Sequence, residues 1–369
     1  WSNHCLIVNE EVNMKIAVIG GGNGGYAAAA DLTNNGHEIY FWQRSKSNSK
    51  KLIKNKNIII MHDQYGKNKI KIHKICETLS SAISQTEIII ILLPAYTHKY
   101  LAKRISPYLQ DNQIIFLPPG TFGSWIFAKQ TNNKTISFAE SGTLPYLTRK
   151  KNSNTIAITT RASKLPTGIY SNTNHRAIIK KLKNIYSSII YCGDILSAAL
   201  MNAGPIIHPP LIILNAAPLE HFNKWDIHNE GTQKSVHKVM FQLDHERIKI
   251  RKKLGYRSPH FPIKDHYADK GKKWMYGNLA HDKLVTSNNW REDINLYSHR
   301  YIIEDIKEGL VLMHSIGKKL NVNTPITSGI LNIASAFIGH NLKKNGRNLN
   351  NLGITFSLNK LQKLLSEKK

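Results

Sequence analysis

The sequence predicts an N-terminal α/β domain followed by an all-α domain. Short β-prone runs, among them 15–19, 137–140 and 155–160, alternate with helix-forming runs over the first half of the 369-residue chain. From about residue 195 onwards, apolar residues recur mainly at helical spacing, which predicts helices over 234–254, 302–320 and 327–338, and a loop follows over 341–347. The length is sufficient for two domains with separate cores. We predict an upstream extension over residues 1–13, a first domain over 14–190 and a second domain over 191–369.

A glycine-rich motif opens the first domain. Residues 15–25 read KIAVIGGGNGG, and the helix-forming run YAAAADL follows at 26–32. In a βαβ unit the first glycine of Gly-x-Gly-x-x-Gly makes a tight turn, the second lets the backbone approach a pyrophosphate, and the third lets the helix pack on the strand. The motif predicts a Rossmann-type dinucleotide-binding domain; the alternative is a glycine-rich turn without function. The predicted cofactor contacts are Gly20, Gly22, Asn23, Gly24 and Gly25.

The end of the second predicted strand (38–42, EIYFW) indicates which cofactor binds. An acidic residue there would bond the ribose 2′-hydroxyl of NAD. The chain instead reads QRSK over 43–46, and Arg44 suits a 2′-phosphate. NADP is therefore favoured over NAD, although the same residues also fit the ordinary surface of a basic protein.

Two further predicted strands end in small residues and prolines. The strand over 87–93 is followed by Pro94 and Ala95, and the strand over 113–117 is followed by PPG, which ends at Gly120. Ligands of an open α/β sheet bind at the carboxyl edge of its strands. Pro94, Ala95 and Gly120 are therefore further candidates for cofactor contacts.

In the second domain, a histidine lies in an apolar run that is rich in proline. Residues 201–210 read MNAGPIIHPP. Because Pro209 disfavours helical backbone at the residue before it, we expect one helix to end near 207 and another to begin near 210. His208 would then face a cleft. Residue type alone favours a structural histidine packed in the core.

A second candidate segment is HRYIIEDIKEG at 299–309. Helical spacing places Asp305 on one stripe with Gly309, beside an apolar face. An acid one turn before a glycine can approach another helix closely. The alternative is an ordinary acid in the first helical turn, which the helix dipole favours.

These segments together resemble the octopine/nopaline (opine) dehydrogenase family, from about residue 15 to 353. Two motifs are specific in combination: N-x5-H-P in MNAGPIIHPP, and R-Y-x-x-E-D in HRYIIEDIKEGLV. On the nucleotide side the resemblance includes AESGTLPYLTR at 139–149. It implies a Rossmann domain joined to a helical domain of the 6-phosphogluconate-dehydrogenase-like type. The implied activity is an NAD(P)H-dependent reductive condensation of an amino acid with an α-keto acid through an imine.

The resemblance also implies roles for single residues. His208 would carry the proton, Asp305 would orient the His208 ring, and Arg300 would hold a substrate carboxylate. A neutral imidazole can accept and donate protons near pH 7, and a guanidinium binds a carboxylate at two points. Asn202 and Thr143 are candidates to line the same cleft. His208 would then lie opposite the nicotinamide.

Two other interpretations stay open. A Rossmann domain followed by a helical domain also describes glycerol-3-phosphate, ketopantoate and 6-phosphogluconate dehydrogenases, which generally use a lysine and need no amine substrate. The other interpretation is a nucleotide-binding protein without catalysis, or a basic protein that binds nucleic acid.

Composition limits the partners. The net charge is +27, but the lysines are scattered among asparagines rather than clustered, so we expect no nucleic-acid partner. No uninterrupted apolar run reaches the ~20 residues of a membrane span, so we expect no membrane partner. We expect small-molecule substrates and a monomer or homodimer.

Cysteines and histidines point to no metal and to a cytoplasmic location. The three cysteines are far apart and odd in number, which predicts neither a disulfide framework nor a zinc site. The irregular stretch 258–289 contains histidines whose spacing fits no familiar ligand set, and we expect it to shape the substrate pocket. The residues concerned are Cys5, Cys76 and Cys192, and His260, His266 and His281.

Overall fold

The structure is a computed structural model that describes residues 13–131, 134–268, 272–287 and 290–367. Apart from residue 13, the predicted extension lies outside the described residues, as does Cys5. The strands are, in chain order, β1 (Lys15–Ile19), β2 (Glu38–Trp42), β3 (Ile58–Asp63), β4 (Gly66–Lys71), β5 (Lys74–Cys76), β6 (Ile88–Ile91), β7 (Ile114–Leu117), β8 (Ser137–Ser141), β9 (Tyr146–Lys150), β10 (Thr155–Arg161), β11 (Leu165–Tyr170), β12 (Ile189–Tyr191), β13 (Trp225–Asp226) and β14 (Arg291–Glu292).

An eight-stranded sheet forms the centre of the N-terminal domain. Its spatial order is β12-β11-β8-β7-β6-β1-β2-β5, and of its neighbouring pairs only β8 and β11 are antiparallel. Its central strands are almost completely buried and apolar, because helices cover both faces of a parallel sheet. The strand order reverses between β1 and β6. In open α/β sheets this reversal creates the crevice in which a dinucleotide binds.

A second sheet was predicted only in part. Its spatial order is β4-β3-β10-β9, and the sequence indicated a strand only at β10. β4 reads GKNKIK and exposes every residue but one, so it carries almost none of the apolar alternation that predicts a strand.

Helices cover the first domain and build the second. They are α1 (Asn23–Asn34), α2 (Lys46–Lys54), α3 (Leu79–Ile83), α4 (His98–Ile105), α5 (Gly123–Ala128), α6 (His175–Ile185), α7 (Ile195–Ala199), α8 (Gly204–Leu214), α9 (Ala216–His221), α10 (Lys234–Lys253), α11 (Ala280–Thr286), a π-helix (Tyr301–Leu310), α12 (Val311–Lys319), α13 (Pro325–Phe337), α14 (Leu342–Asn345) and α15 (Leu358–Glu367). The last strand of the large sheet ends at residue 191, and α7, which follows it, packs against β8 and β11 of that sheet.

The predicted helix break at His208 is wrong. The break lies upstream, at residues 200–203, and α8 continues through Pro209 and Pro210. Each proline removes one N–H from the helix. The helix persists because its apolar residues are buried against neighbouring helices, and such packing supplies most helical stability in proteins. A loop was also expected over 341–347, where the structure has the short helix α14.

The stretch Ile195–Leu214 is long and apolar enough, by length and composition alone, to cross a membrane. The sequence prediction counted only uninterrupted apolar runs and missed it. In the structure 83% of its most apolar 18-residue window is buried inside the protein. Burial of this extent is what a core helix of a helical domain shows, and the packing of α8 against the π-helix accounts for it.

Candidate active site

The centre of the site is a histidine–aspartate pair. Nδ1 of His208 lies 2.7 Å from Oδ2 of Asp305, so the structure brings the two predicted residues together. Asp305 is 8% exposed, whereas the side chain of His208 keeps 18% of its surface accessible. A carboxylate at this distance accepts Nδ1–H and leaves Nε2 as the ring nitrogen that can exchange a proton.

Two glycines let the paired elements approach each other. A Cβ on Gly309 would lie 2.1 Å from Cγ of Pro205, and a Cβ on Gly204 would lie 2.3 Å from Oδ1 of Asp305. A larger residue at Gly309 would push α8 and the π-helix apart, and a larger residue at Gly204 would displace the carboxylate of Asp305. The prediction that Gly309 permits a close approach beside Asp305 therefore matches the packing, although the element is a π-helix.

The π-helix brings two residues to the same histidine. Its wide turn pairs the N–H of residue i+5 with the carbonyl of residue i, and Val311 bonds Ile306 in this way. Residues four apart then lie on one face. The ring of Tyr301 stacks on His208 with 3.8 Å between the centroids and 11° between the planes, while Asp305 bonds the edge of the same ring. Helical spacing alone already places Tyr301 and Asp305 on one face, but it does not show that His208 lies against both.

A second histidine supports the stack. Nε2 of His228 lies 2.8 Å from the hydroxyl of Tyr301, and its ring meets His208 edge to face at 5.9 Å. His228 is almost fully buried. The sequence analysis missed Tyr301 and His228, because their contact depends on two segments that are 73 residues apart.

Burial and nearby cations set the protonation of the pair. Burial lowers the pKa of His208 well below its usual value, and the charges of Arg300 and Arg149 lower it further. Burial raises the pKa of Asp305 to about 7, against the opposing effect of Arg300. The pair therefore titrates as a unit near neutral pH: a neutral imidazole bonded to a carboxylate gains one proton as the pH falls.

Arg300 places a guanidinium beside the pair. Its residue surface is exposed, yet enough protein surrounds the group to desolvate it. Burial lowers the pKa of Arg300, but Tyr301, Asp305 and Glu304 outweigh it and raise the pKa above its ordinary value. A guanidinium that is accessible and permanently charged can bind a carboxylate or a phosphate at two points.

A second arginine, Arg149, was not among the predicted site residues. It ends the quoted segment AESGTLPYLTR and lies on β9. Its guanidinium bonds Glu292 and stacks 3.9 Å above the ring of Trp290, which in turn contacts His228. Because Glu292 already compensates its charge, Arg149 is better placed to support Trp290 beside His228 than to bind an anion.

Asn202 and Thr143 make contacts between the domains. The amide of Asn202 donates to Oγ1 of Thr121 at 2.8 Å and accepts the N–H of Gly204. The hydroxyl of Thr143 lies 2.9 Å from that of Tyr276, which belongs to the irregular stretch 258–289. Both predicted cleft residues are buried and hold loops of the first domain against the second.

The glycine motif has the geometry of a dinucleotide loop. Gly20 has φ +143°, and a Cβ there would lie 2.3 Å from the carbonyl oxygen of Leu92. A Cβ on Gly25 would lie 1.7 Å from the carbonyl oxygen of Gly20, so the helix packs directly on the turn. Gly22 faces open space, while Gly24 packs against Leu144. Open space beside Gly22 at the N-terminus of α1 is where a pyrophosphate would bind.

Asn23 also has a structural contact. Its side-chain oxygen accepts the backbone N–H of Lys150 at 2.9 Å, which joins α1 to β9. Its own backbone N–H belongs to the first turn of α1, where no intrahelical acceptor exists. That backbone group, rather than the side chain, is the one available to a phosphate.

The strand-end residues Pro94, Ala95 and Gly120 lie at the carboxyl edge of β6 and β7. The backbone of Ala95 already has partners in the helical domain: its N–H donates to Glu304 at 3.1 Å, and its carbonyl accepts from Arg347 at 2.6 Å. A Cβ on Gly120 would lie 2.5 Å from a carboxylate oxygen of Glu140. These residues thus shape the crevice mainly by close packing and by contacts between the domains.

The end of β2 fits a phosphorylated ribose. No acid follows this strand, and Arg44 is exposed and makes no hydrogen bond or ion pair with any described residue. Within the described ranges, Nε2 of the buried Gln43 has no partner. Lys150, 3.5 Å above the ring of Tyr26, has its pKa lowered to about 8 by burial and pairs with no described carboxylate. One unpaired amide and two unpaired cations thus lie around the corner at the end of β2.

Metal ligation has no comparable support. Across the part of the chain that the structure describes, no group of three or more histidine, cysteine or acidic side chains is arranged to hold a metal ion. His266 and His281 have ring centroids 5.6 Å apart and contact aromatic rings instead. Cys76 and Cys192 are free thiols.

The second domain is similar to a domain of a known enzyme family. Residues 191–338 match the family model for the alpha-helical domain of NAD/NADP octopine/nopaline dehydrogenase. The helical domain of this chain belongs to the octopine/nopaline dehydrogenase family. Residues 16–123 match the model for ketopantoate reductase PanE/ApbA, within the Rossmann domain. The predicted fold class, a Rossmann-type domain followed by this helical domain, is confirmed.

Two of the curated relatives match nearly the whole chain. Opine dehydrogenase of Arthrobacter sp. (strain 1C) is 24% identical over 348 residues, which is 92% of this chain and 95% of the relative. Protein ocs of Agrobacterium vitis is 22% identical over 359 residues, with the same coverage of both chains. Glycerol-3-phosphate dehydrogenase of Fusobacterium nucleatum is 28% identical over 109 residues and covers only 28% of this chain.

Solved structures establish the fold. Octopine dehydrogenase in complex with NADH and agmatine superposes with a TM-score of 0.73 at 16% identity, covering 97% of this chain and 99% of that one. Yersinopine dehydrogenase with bound NADP+ has a TM-score of 0.65 at 13% identity, covering 96% and 98%. A ketopantoate reductase from Ralstonia eutropha reaches 0.59 at 13% identity, covering 88% and 99%.

Proposed function

We propose that the protein is an NAD(P)H-dependent oxidoreductase that condenses an amino acid with an α-keto acid and reduces the resulting imine. The observation that carries this proposal is the His208–Asp305 pair, which combines a bonded Nδ1 with a partly accessible ring. The pair lies beside an accessible guanidinium in a helical domain of the octopine/nopaline dehydrogenase type.

The chemistry requires one proton carrier. The amine of the amino acid attacks the keto carbon, and loss of water gives the imine. A bound nicotinamide cofactor would supply the hydride to the imine carbon. A proton from Nε2 of His208 completes the secondary amine, and Asp305 stabilises the tautomer that makes this transfer possible. Because the pair titrates near neutral pH, it can give up and regain that proton in each cycle.

Arg300 is the proposed site for the substrate carboxylate. The keto acid carries a carboxylate next to the reacting carbon, and the amino acid carries one on the carbon that bears the reacting amine. A bidentate guanidinium would fix the orientation of the substrate whose carboxylate it binds. The same group can also bind a phosphate of the cofactor. Kinetics of Arg300→Gln separate the two: the KM of the keto acid rises if Arg300 holds the substrate, and the KM of the cofactor rises if it holds a phosphate.

NADP is the proposed cofactor. The support is the corner at the end of β2, where Gln43, Arg44 and Lys150 offer an unpaired amide and two cations and no acid is present. A ribose 2′-phosphate would satisfy these groups, whereas a 2′-hydroxyl would leave the cations uncompensated. We further propose a cytoplasmic enzyme, monomeric or homodimeric, which has neither a membrane nor a nucleic-acid partner.

The first experiment is oxidation of NADPH and NADH at 340 nm. Pyruvate, oxaloacetate and 2-oxoglutarate are each supplied with and without a pool of amino acids. Oxidation that requires both a keto acid and an amine supports the proposal, and splitting the pool then identifies the amino acid. Reduction of a keto acid alone would contradict it and would favour a ketopantoate-reductase type of activity, to which the Rossmann domain is similar.

A further inference from the structure

Arg347 occupies a junction between the two domains. It lies just after α14, and only 4% of it is exposed. Its guanidinium donates to the carbonyl of Thr121 at 2.6 Å, to that of Ala95 at 2.6 Å and, more weakly, to that of Gly120 at 3.4 Å. One side chain of the helical domain therefore bonds the two loops that follow β6 and β7.

The remaining hydrogen bond of the Arg347 guanidinium leads to the proton-carrying pair. Nε donates to Oε2 of Glu308 at 2.9 Å, a buried ion pair. Glu308 lies three residues after Asp305 on the same π-helix. Glu304, on the other side of Asp305, accepts the N–H of Ala95 at 3.1 Å. The element that carries Asp305 is thus bonded to the same loop from both sides.

The loop after β7 needs such support. Thr121 and Phe122 have φ of +50° and +64°, in the left-handed region that residues with a Cβ rarely adopt. Residues in such conformations persist only when their surroundings fix them. Glu140 accepts the N–H groups of Phe122 and Ser124, and Arg347 binds the carbonyl of Thr121. The first contact lies within the Rossmann domain, and the second comes from the helical domain.

We propose that Arg347 is a positioning residue that sets the distance between the cofactor-side loops 94–97 and 118–123 and the His208–Asp305 pair. The proposal rests on the proposed function for its kinetic consequence. The carboxyl ends of β6 and β7 border the dinucleotide crevice, while the π-helix carries the acid that orients the proton carrier. Glu304 and Asn202 each bond one of these loops, whereas Arg347 bonds both loops and the π-helix through a single side chain.

The test begins with the apoprotein and needs no substrate. Arg347→Lys keeps one cation but cannot bond three carbonyls and a carboxylate in one plane. We expect amide hydrogen exchange in segments 94–97 and 118–123 to accelerate by about tenfold or more, since these loops lose their shared anchor. Arg251→Lys is the matched control: Arg251 is also a buried arginine, but it bonds Ser197 on α7 and neither of the two loops. It should leave exchange in both loops unchanged.

Kinetics then separate positioning from mere stability. In Arg347→Lys we expect kcat to fall by about 10²-fold, because displacement of the reacting groups by about 1 Å has an effect of this size. The KM of the cofactor should change far less. The primary isotope effect on kcat with cofactor deuterated at the transferred position should rise, because hydride transfer becomes slower than product release. Arg251→Lys should leave that isotope effect at the wild-type value.

Glu308→Gln keeps the test decisive if Arg347→Lys does not fold, because the glutamine retains an acceptor for Nε. It should accelerate exchange in the same two segments to a smaller extent. Unchanged exchange in both loops in a folded variant would overturn the proposal, whatever the substrates prove to be. If the wild type and all variants lack the condensing activity while loop exchange is still faster in Arg347→Lys, the proposed function is overturned and the positioning role is not.

Discussion

The ring of His208 lies flat on the ring of Tyr301, with centroids 3.8 Å apart, while the hydroxyl of Tyr301 bonds His228. Two contacts of one tyrosine thus hold the imidazole plane. Asp305 alone fixes only the direction of one ring edge, so the stack supplies the second constraint on ring orientation. The two contacts can be separated by mutation.

Tyr301→Phe keeps the stack and removes only the bond to His228. We expect kcat to fall by about 2- to 10-fold, the size of one lost hydrogen bond. Tyr301→Leu also removes the stacked ring, worth a further ~0.5–1.5 kcal/mol, and should lower kcat further. The measurement is kcat at saturating substrates. Equal rates in both variants would show that the stack does not orient His208.

His208→Ala tests the proton carrier directly. Turnover should fall by about 10²–10⁴-fold, the usual contribution of a positioned acid–base group. Binding of NADPH, followed by fluorescence titration, should stay near the wild-type value, because His208 lies in the helical domain and not in the glycine loop. His62→Ala, at an exposed position on β3, is the control. Wild-type turnover in His208→Ala would remove His208 from the mechanism.

The parts of the fold that the sequence predicted best are those with a complete local signal. β1 and β2 have the predicted bounds, and α10 begins at the predicted residue 234, because their apolar patterns are uninterrupted. α8 differs from its prediction because tertiary packing outweighs the local effect of Pro209. β4 was missed because five of its six residues are exposed.

The site residues also divide into those with a local sequence signal and those without one. His208 and Asp305 stand out by motif, and each can be found without knowing its partner. Arg347 is bonded to Ala95, 252 residues away, and lies at the end of a segment that the sequence predicted to be a loop. Lys150 lies near the glycine loop only because β9 packs beside α1. Such residues are revealed by the arrangement of the chain, which local patterns do not encode.

The pH dependence of turnover should reveal the charge of Arg300. Arg300 lowers the pKa of both His208 and Asp305. Removing that charge in Arg300→Gln raises both values, so the pair keeps its proton to higher pH. The reductive reaction consumes this proton, so its kcat should fall above about pH 7 in the wild type and at a more alkaline pH in the variant.

The expected displacement is about one pH unit or more, as for other charges in direct proximity. The measurement is kcat at saturating substrates between about pH 6 and pH 9. This range includes the ordinary pKa of histidine and the pKa of about 7 of Asp305. Arg291→Gln removes the same charge from an exposed position paired with Glu230, and should leave the profile in place. An identical displacement in both variants would attribute the effect to net charge rather than to Arg300.

Cofactor preference should depend on two cations. Arg44→Ala and Lys150→Met should each raise the KM of NADPH by about 10-fold or more, since a charge-assisted hydrogen bond contributes about 1.5–3 kcal/mol. The KM of NADH should hardly change. Lys103→Ala, at an exposed position on α4, controls for the general positive field. If NADH and NADPH respond alike, neither residue binds the 2′-phosphate.

The close approach of α8 and the π-helix predicts opposite effects for two glycine substitutions. In Gly309→Ala the new Cβ would lie 2.1 Å from Cγ of Pro205, so the helices must separate. Overpacking of this kind costs about 1–3 kcal/mol of unfolding free energy. Gly329→Ala, on α13, meets no atom within 4 Å and should stabilise the protein by about 0.4–1 kcal/mol.

Separation of the helices has a second consequence, because it moves Asp305 away from His208. We therefore expect Gly309→Ala to lower kcat at a temperature where the protein is still fully folded, and Gly329→Ala to leave kcat unchanged. Urea denaturation gives the two free energies, and the rate assay gives the two kcat values. A destabilised Gly309→Ala protein with wild-type kcat would show that the 2.7 Å contact of the pair tolerates displacement of its helices, and that Asp305 contributes little to proton transfer.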